Sequence, residues 1–299
     1  MATSLSFTST YAGEAAAKYL AAALLASKSI DNVTVHTDIP YRQVFRKYAN
    51  AAGFVNATCD FTDTGTVTVS EFYLDPKRLT WDQEICKKDV IRDWQTKTMG
   101  ASLLGQNLPT DLQEMQLAYM AALAGQYVEQ TIWTGDATVA GQFDGILNQF
   151  SAIDVNGTTL TAANIIAQLG LVVNAIPTAI KAYRGDDLNI YVPTSVIFLY
   201  EEAQSALGAA DMFHERQATP NFRGIPLVEC PGMPDNTIVA ARKSNLHFGT
   251  SLVDDLNKVA MLDMEQTTLD RNVRFHMSIS GDTAIGFEGE AVYYAVPAS

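Results

Sequence analysis

The strongest helical pattern in the chain covers residues 110–134. Its apolar side chains recur at intervals of three or four residues, at Leu112, Met115, Tyr119, Leu123 and Tyr127. This spacing predicts a helix of about six turns with one apolar face. Thr110 stands three residues before Gln113, as in a capping box, and Gly135 follows the last turn as a helix terminator.

Alternating apolar and polar residues predict strands in the first third of the chain. Val67 and Val69 alternate with threonine and serine, and the turn-forming triplet Asp63-Thr64-Gly65 comes just before them. Residues 33–81 are therefore expected to form an extended hairpin. Because an isolated two-stranded hairpin is only marginally stable in water, a neighbouring element is expected to support it.

A second alternating segment, NVRFHMSIS, lies near the C-terminus. One face of this predicted strand carries Val273, Phe275, Met277 and Ile279. A last strand is predicted over the stretch AIGFEGEAVYYAV. The apolar face of these strands needs a cover, and the long helix is the natural element to provide it.

The middle of the chain mixes helical and strand patterns. A helical stripe runs through Ile165, Leu169, Val172, Ile176 and Ile180. Pro177 is expected to kink or interrupt it. The run LNIYVP predicts a buried strand, SVIFLYEEAQSAL a helix, and GIPLVEC and NTIVAA two more strands. This block is predicted to be a compact α/β domain.

The charge balance limits the classes of partner. The 299 residues include 20 Lys and Arg against 33 Asp and Glu, a formal net charge of −13. Such a surface repels phosphate, which argues against a protein that reads nucleic-acid sequence.

The cysteines and the apolar segments give two further expectations. Cys59, Cys86 and Cys230 are odd in number and widely spaced, which favours reduced thiols in an intracellular setting over a disulfide framework. The apolar run at residues 17–27 is shorter than the roughly 20 residues that span a bilayer, so it predicts a short helix and no membrane association.

One triplet matches a catalytic motif. Asp63-Thr64-Gly65 spells the loop of an aspartic protease, in which two carboxylates share a proton and activate water. That chemistry needs a second such loop or a symmetric dimer, and the sequence contains no second Asp-Thr-Gly. A turn is the favoured interpretation, and a hydrolase that uses Asp63 stays as an alternative.

No other local motif indicates a chemical site. The histidines share no close spacing with one another or with cysteine, so no metal site is encoded locally, although one built only by the fold stays open; they are His36, His214, His247 and His276. Gly185-Asp186-Asp187 is interpreted as a solvated turn. We therefore predict no catalytic, cofactor-binding or metal-binding residues, and no cofactor.

Three longer stretches carry a family resemblance. FYLDPKRLTWDQEICKKDVIRDW looks like the return strand of an extended hairpin and its entry into the following helix. TIWTGDATVAGQFDGILN looks like a helix end followed by a loop into an apical domain. NFRGIPLVECPGMPDNTIVAARKSNLHFGTSL looks like a Gly-Ile-Pro strand and a strand entering a closing sheet. In their order and spacing, these parts resemble the major capsid proteins of tailed bacteriophages with the Hong Kong 97 fold.

This resemblance implies an α+β fold of Hong Kong 97 type in four parts. Residues 1–32 would be an N-terminal arm, and residues 33–85 the extended hairpin loop. A long spine helix packed on a β-sheet would form the peripheral domain, from residues 86–150 and 251–299 with its closing strands. Residues 151–250 would be the α/β axial domain.

The same resemblance gives the loop after the long helix an architectural role. Gly135 and Asp136 would end the spine helix, and Gly141 and Gly145 would let the chain turn. The Ile146-Leu147 pair would then anchor the chain in the next part of the core.

The function implied by the resemblance is structural and not enzymatic. The chain would be the major capsid protein of a virion, assembled in the host cytoplasm into hexamers and pentamers of an icosahedral shell around double-stranded DNA. Its acidic balance suits a wall along which DNA slides. Only a short arm precedes the hairpin, so scaffolding is expected from a separate protein; a portal and decoration proteins are further expected partners. An encapsulin-type compartment shell is the alternative with the same fold.

Overall fold

The computed structural model describes residues 28–52, 65–86, 110–206, 220–251, 259–264 and 272–297, together with positions 54, 56, 59 and 270. These residues include four α-helices: α1 Thr110–Thr134, α2 Ile165–Ala175, α3 Thr178–Lys181 and α4 Thr194–Ala206. Short 3-10 turns cover Ile30–Asn32, Ile146–Gln149, Lys243–Asn245 and Glu288–Glu290. The predicted α+β class is confirmed.

The strands form two larger sheets and one hairpin. The first half of the chain contributes β1 Thr34–His36, β2 Gln43–Ala52, β3 Gly65–Leu74, β4 Lys77–Cys86 and β5 Val155–Asn156. The middle contributes β6 Leu188–Val192, β7 Asn221–Phe222, β8 Ile225–Glu229, β9 Ile238–Arg242 and β10 Leu246–Gly249. The last part contributes β11 Val259–Asp263, β12 Asn272–Ile285 and β13 Val292–Ala295.

Strand β12 is the centre of the first sheet. It pairs antiparallel with β4 along its first ten residues, from Asn272 to Gly281. It also pairs antiparallel with β11 and, through its last four residues, with β10, while the short β1 lies parallel to β10. The sheet therefore joins segments from the beginning, middle and end of the chain.

Helix α1 covers this sheet, as the sequence predicts, but with a different face. The side chains buried against Val273, Phe275 and Met277 of β12 are those of Leu117, Met120, Ala121 and Ala124. In contrast, Tyr119 is 59% exposed and Tyr127 38% exposed. The predicted stripe is therefore wrong as the core face at Tyr119 and Tyr127, while the side chains of Leu112 and Met115 lie outside the described part of the chain. The small alanines, which periodicity weighs lightly, allow the helix to approach the strand closely.

The second sheet is mixed, in the order β5-β13-β9-β6-β8-β7. All five residues of β6 are buried, because helices cover both of its faces. Ile190 packs in the core of α2 and α4, whereas Tyr191 lies in the cluster that contains Trp133 of α1. The α/β block is thus observed, and the helical stripe is interrupted at Ile176 and Pro177, as predicted.

Two predicted strands pair with strands other than those that the sequence predicts. The segment that continues from the hairpin, β4, pairs with β12 in the first sheet, so the return strand of the hairpin is β3 alone. The last predicted strand is divided by the turn Glu288–Glu290, and its second part, β13, pairs with β9 and β5 in the second sheet. Neither pairing follows from alternation, since a strand pattern does not specify its neighbour.

The loop after α1 has the architecture that the sequence predicts. The helix ends at Thr134, and a Cβ on Gly135 would lie 2.2 Å from the carbonyl oxygen of Phe143. Gly141 has a positive φ of 87°, which glycine adopts without strain. Ile146 is buried in the cluster that also holds Trp133, so the chain re-enters the core there.

Residues 28–33 tie α1 to the second sheet. The backbone N–H of Ser29 donates to the buried Glu129 carboxylate at 3.0 Å, and the Trp133 indole N–H donates to the Ser29 hydroxyl at 2.7 Å. The Tyr191 hydroxyl donates to the backbone carbonyl of Asn32 at 2.6 Å. These bonds satisfy polar groups that would be costly to bury alone.

Leu117→Ala should lower the free energy of unfolding by about 2–5 kcal/mol, because it leaves a cavity between α1 and the first sheet. Tyr119→Ala on the same helix is the matched control and should change stability by less than about 0.5 kcal/mol. Urea unfolding followed by circular dichroism measures both. Equal losses for the two variants would contradict the assignment of the buried face.

Candidate functional site

The hairpin of β2 and β3 exposes one apolar face. Its ten cross-strand pairs run from Gln43 with Leu74 to Ala52 with Gly65. Directly opposed pairs alternate between the two faces of the ribbon. One face carries five large apolar side chains, each at least half exposed: Val44, Tyr48, Val67, Val69 and Tyr73. We call this surface the hairpin outer face.

The opposite face holds the hairpin to the rest of the subunit. Phe45 and Phe72 stack on each other with centroids 5.1 Å apart, and Phe72 also stacks on the His247 ring at 4.8 Å. Leu74 and Ile39 are buried beside them, against Ala284 of β12. Since this side carries the attachment, the outer face is left uncovered by the part of the subunit that the structure describes.

Polar contacts organise the outer face but do not cover it. The guanidinium of Arg42 lies 3.4 Å from the centre of the Tyr73 ring. Arg46 and Glu71, a directly opposed pair, form an ion pair of 3.7 Å in which both side chains stay mostly exposed. Such a surface pair contributes little to stability, so the main energetic feature of this face is its exposed apolar area.

A buried carboxylate lies at the base of the hairpin. The backbone N–H of Asp75, which follows β3, donates to Asp282 Oδ2 at 2.7 Å. Burial raises the pKa of Asp282 to about 6, although the backbone N–H groups of Asp75 and Thr283 favour the ionised form. Asp282 thus holds the end of β3 against β12 at an electrostatic cost.

An apolar groove of about 440 Å³ lies between α1 and the first sheet. Its apolar walls are Leu79 and Trp81 of β4, Leu123 and Tyr127 of α1, and Met277 and Ile279 of β12. At one end, the Tyr127 hydroxyl donates to the backbone carbonyl of Gly141 at 2.7 Å. Two of the residues that the sequence places on the core face of the helix, Leu123 and Tyr127, therefore border this groove.

The sequence-predicted chemical motifs do not form a reactive site in the described residues. Asp63 lies outside them, so the protease-like triplet has no structural account. Gly185 has a positive φ of 83°, and Asp187 accepts a hydrogen bond from the Ser244 backbone at 3.1 Å, so this acidic stretch forms a turn. The three cysteines are not disulfide-bonded.

Two findings concern metals and membranes. Within the described ranges, no group of three or more His, Cys, Asp or Glu side chains has the arrangement of a metal site. In the same part of the chain, no helix is long and apolar enough to cross a membrane. His36 and His247, however, lie side by side, although they are distant in the sequence.

The comparison with solved structures identifies the architecture. The chain is similar to the capsid of a native GTA particle, with a TM-score of 0.63 and 12% identity over 93% of this chain and 91% of that one. It is similar to the Mycobacterium phage Bobi structure, with a TM-score of 0.60 and 12% identity over 100% and 95% of the two chains. The fold is the Hong Kong 97-type capsid fold.

A further similar structure is a virus-like particle from Pyrococcus furiosus, with a TM-score of 0.50 and 13% identity over 93% of this chain and 97% of that one. At the level of sequence, no protein-family model and no curated protein matches the chain. The predicted resemblance is thus confirmed in the fold.

The sequence alone indicates only part of the hairpin outer face. Alternation places Val67 and Val69 on one side of a strand, but it does not tell whether that side is covered. The signal that identifies the outer face is the pairing register, which brings Tyr48 opposite Val69 and Tyr73 opposite Val44. The register is a tertiary feature, set by the base of the hairpin.

Asp282→Asn should stabilise the protein at pH 7. The folded-state pKa of about 6 lies above the ordinary 3.8, so stability from protonation is complete below pH 3.8 and is lost as the pH rises through 6. The ionised carboxylate then lowers the free energy of unfolding by on the order of 1–3 kcal/mol. Asparagine avoids this cost and still accepts the hydrogen bond from the backbone N–H of Asp75.

Urea unfolding from pH 4 to pH 7.5 tests this assignment. The advantage of Asp282→Asn over the wild type should be greatest above pH 6 and vanish near pH 4. The exposed Asp186→Asn is the matched control and should show little change across the range. A pH-independent advantage would show that burial of Asp282 is not its source.

Proposed function

We propose that this chain is the major capsid protein of a tailed bacteriophage, which self-assembles into hexamers and pentamers of an icosahedral shell around double-stranded DNA. The observation that carries the proposal is the hairpin outer face, an apolar surface that no described residue of its own subunit covers. The capsid fold supports it. Other copies of the same chain are the partners that such a fold requires.

The outer face has the composition of a surface that becomes buried in an assembly. Tyr48, Val69 and Tyr73 lie together on one face of the β2–β3 ribbon. A contiguous apolar patch of this kind marks an interaction site, because leaving it in water costs free energy. Tyrosine is also enriched in interface cores, since its ring is apolar and its hydroxyl can hydrogen-bond.

The groove beside α1 is the complementary surface on the same chain. It is walled by Trp81, Leu123 and Met277, among others, and its volume is that of a cavity able to receive apolar side chains. In the proposed shell, the outer face of one copy packs over the groove of the next copy. This head-to-tail contact is heterologous, and such contacts generate closed rings when the rotation closes.

The excess of acidic over basic residues supports a role in enclosing DNA without binding it tightly. With a net charge of −13, an inner wall made of this chain repels phosphate and does not trap the genome. The proposed division is the arm at residues 1–32, the hairpin loop at 33–85, the axial domain at 151–250 and the peripheral domain in the remainder. Within residues 33–85 the hairpin itself is β2 and β3, since β4 pairs with β12 in the first sheet. A separate scaffolding protein, a portal and decoration proteins are the proposed partners, with assembly in the host cytoplasm.

The similarity to the Pyrococcus furiosus virus-like particle supports an encapsulin-type compartment as the second candidate. Both candidates predict closed shells of this chain in negative-stain microscopy. Nuclease-protected double-stranded DNA in particles from the native source supports the capsid, whereas enclosed protein cargo supports the compartment. A protein that stays monomeric at all concentrations contradicts both.

Val69→Lys should leave the subunit folded but reduce the yield of shells at least about tenfold, because a lysine ammonium would have to be buried between copies. Thr68→Lys is the matched control: its side chain is exposed on the opposite face of the same strand. Circular dichroism reports folding, and sedimentation velocity reports assembly. If both variants assemble equally well, the outer face is not an interface.

Leu123→Asp should also give a folded subunit that does not assemble. Leu123 is only partly buried and borders the groove, so aspartate there remains hydrated in the free subunit but is desolvated when a second copy covers it. Ala122→Asp, exposed on the same helix, is the control and should assemble. Unfolding of the Leu123 variant alone would place this residue in the core after all.

A further inference from the structure

The fold brings together two histidines that are 211 residues apart in the sequence. His36 lies on β1 and His247 on β10, and their facing atoms, Nε2 of His36 and Nδ1 of His247, are 3.2 Å apart. The parallel pairing of β1 with β10 places them on neighbouring positions of one sheet face. The two imidazoles therefore face each other directly at the base of the hairpin.

The separation of the two nitrogens suits a shared metal ion. Zinc–imidazole bonds are about 2.0–2.1 Å long, so two nitrogens 3.2 Å apart subtend an angle of about 100–106° at a common ion. This angle is close to the tetrahedral value that zinc prefers. The alternative is a single hydrogen bond between two imidazoles, at the long end of the ordinary range.

The environment keeps both imidazoles available as ligands. Burial lowers the pKa of His36, and burial together with the neighbouring His36 lowers the pKa of His247 to about 4. Burial thus favours the neutral form of both imidazoles, which is the form that binds metals. Both side chains are also partly exposed, so water can reach the remaining coordination positions.

Two aromatic side chains surround the histidine pair. Phe45 and Phe72 pack against the two rings. The Lys47 ammonium lies 5.9 Å from the centre of the Phe72 ring. An apolar wall of this kind influences the local dielectric at a metal site.

We propose that His36 and His247 form a two-histidine site for Zn²⁺ or another divalent transition-metal ion that prefers imidazole, with water completing the coordination. No group of three or more ligand side chains surrounds this point among the described residues, so the site is open and exchangeable. A bound ion links β1 to β10 and stiffens the base from which the hairpin projects. The proposal does not depend on what the shell encloses.

Isothermal titration of the full-length protein, prepared without a polyhistidine tag, tests the site. ZnCl₂ should bind with one ion per subunit that is lost in both His36→Gln and His247→Gln, and retained in His276→Gln. The last variant is the matched control, because His276 also lies on the sheet, hydrogen-bonded to Asp82. Removing either ligand should weaken Zn²⁺ binding by at least about tenfold.

Two further measurements separate a specific site from general ion binding. MgCl₂ should give no binding at this site, because Mg²⁺ prefers oxygen ligands. X-ray absorption at the zinc edge should show two imidazole nitrogens in the wild-type complex and fewer in the His36 variant. Circular dichroism without metal checks that each variant is folded.

Zinc binding that is unchanged in the His36→Gln and His247→Gln variants, or absent from the folded wild-type protein up to millimolar ZnCl₂, would overturn the proposal. In either case the pair is a hydrogen bond between two neutral imidazoles, and the shell function stands unaffected. Loss of zinc binding in all three histidine variants would also overturn it, because the ion would then not be localised at the pair.

Discussion

The packing of α1 on β12 is the contact on which the rest of the structure depends. The first half of the helix buries Leu117, Met120 and Ala124 against the first sheet. Its second half buries Val128, Ile132 and Trp133 in a cluster that also includes Tyr191 and Val239 of the second sheet. One helix thus contributes to two cores.

This arrangement explains why the buried face of α1 is composed of both large and small residues. Ala121 and Ala124 let the helix approach β12, while Trp133 fills the wider space at the junction. Gly232 makes a similar approach from the second sheet, where a Cβ would lie 2.2 Å from the carbonyl oxygen of Glu129. Close packing of this kind favours a rigid body, because interiors at crystal-like density do not deform continuously.

The core and the β2–β3 hairpin have separate roles in the subunit. The core holds the fold, while the described part of the hairpin contacts it through Phe45, Phe72 and Leu74 and through the hydrogen bond from Asp75 to Asp282. The hairpin outer face is not among the residues that stabilise this core. The same division accounts for the retention of the fold at 12–13% identity to the capsid structures, since many apolar sequences fill one core of given shape.

Local features of this protein follow from the sequence alone. The period of the long helix, its end before Gly135, the interruption at Pro177 and the alternation of Val67 with Val69 depend on neighbouring residues, whose preferences act over a few positions. The order of these elements was sufficient to indicate the capsid fold. In contrast, the face of α1 that is buried, the sheet that β13 joins and the meeting of His36 with His247 were decided by tertiary structure, because each depends on which distant segment supplies the opposing surface.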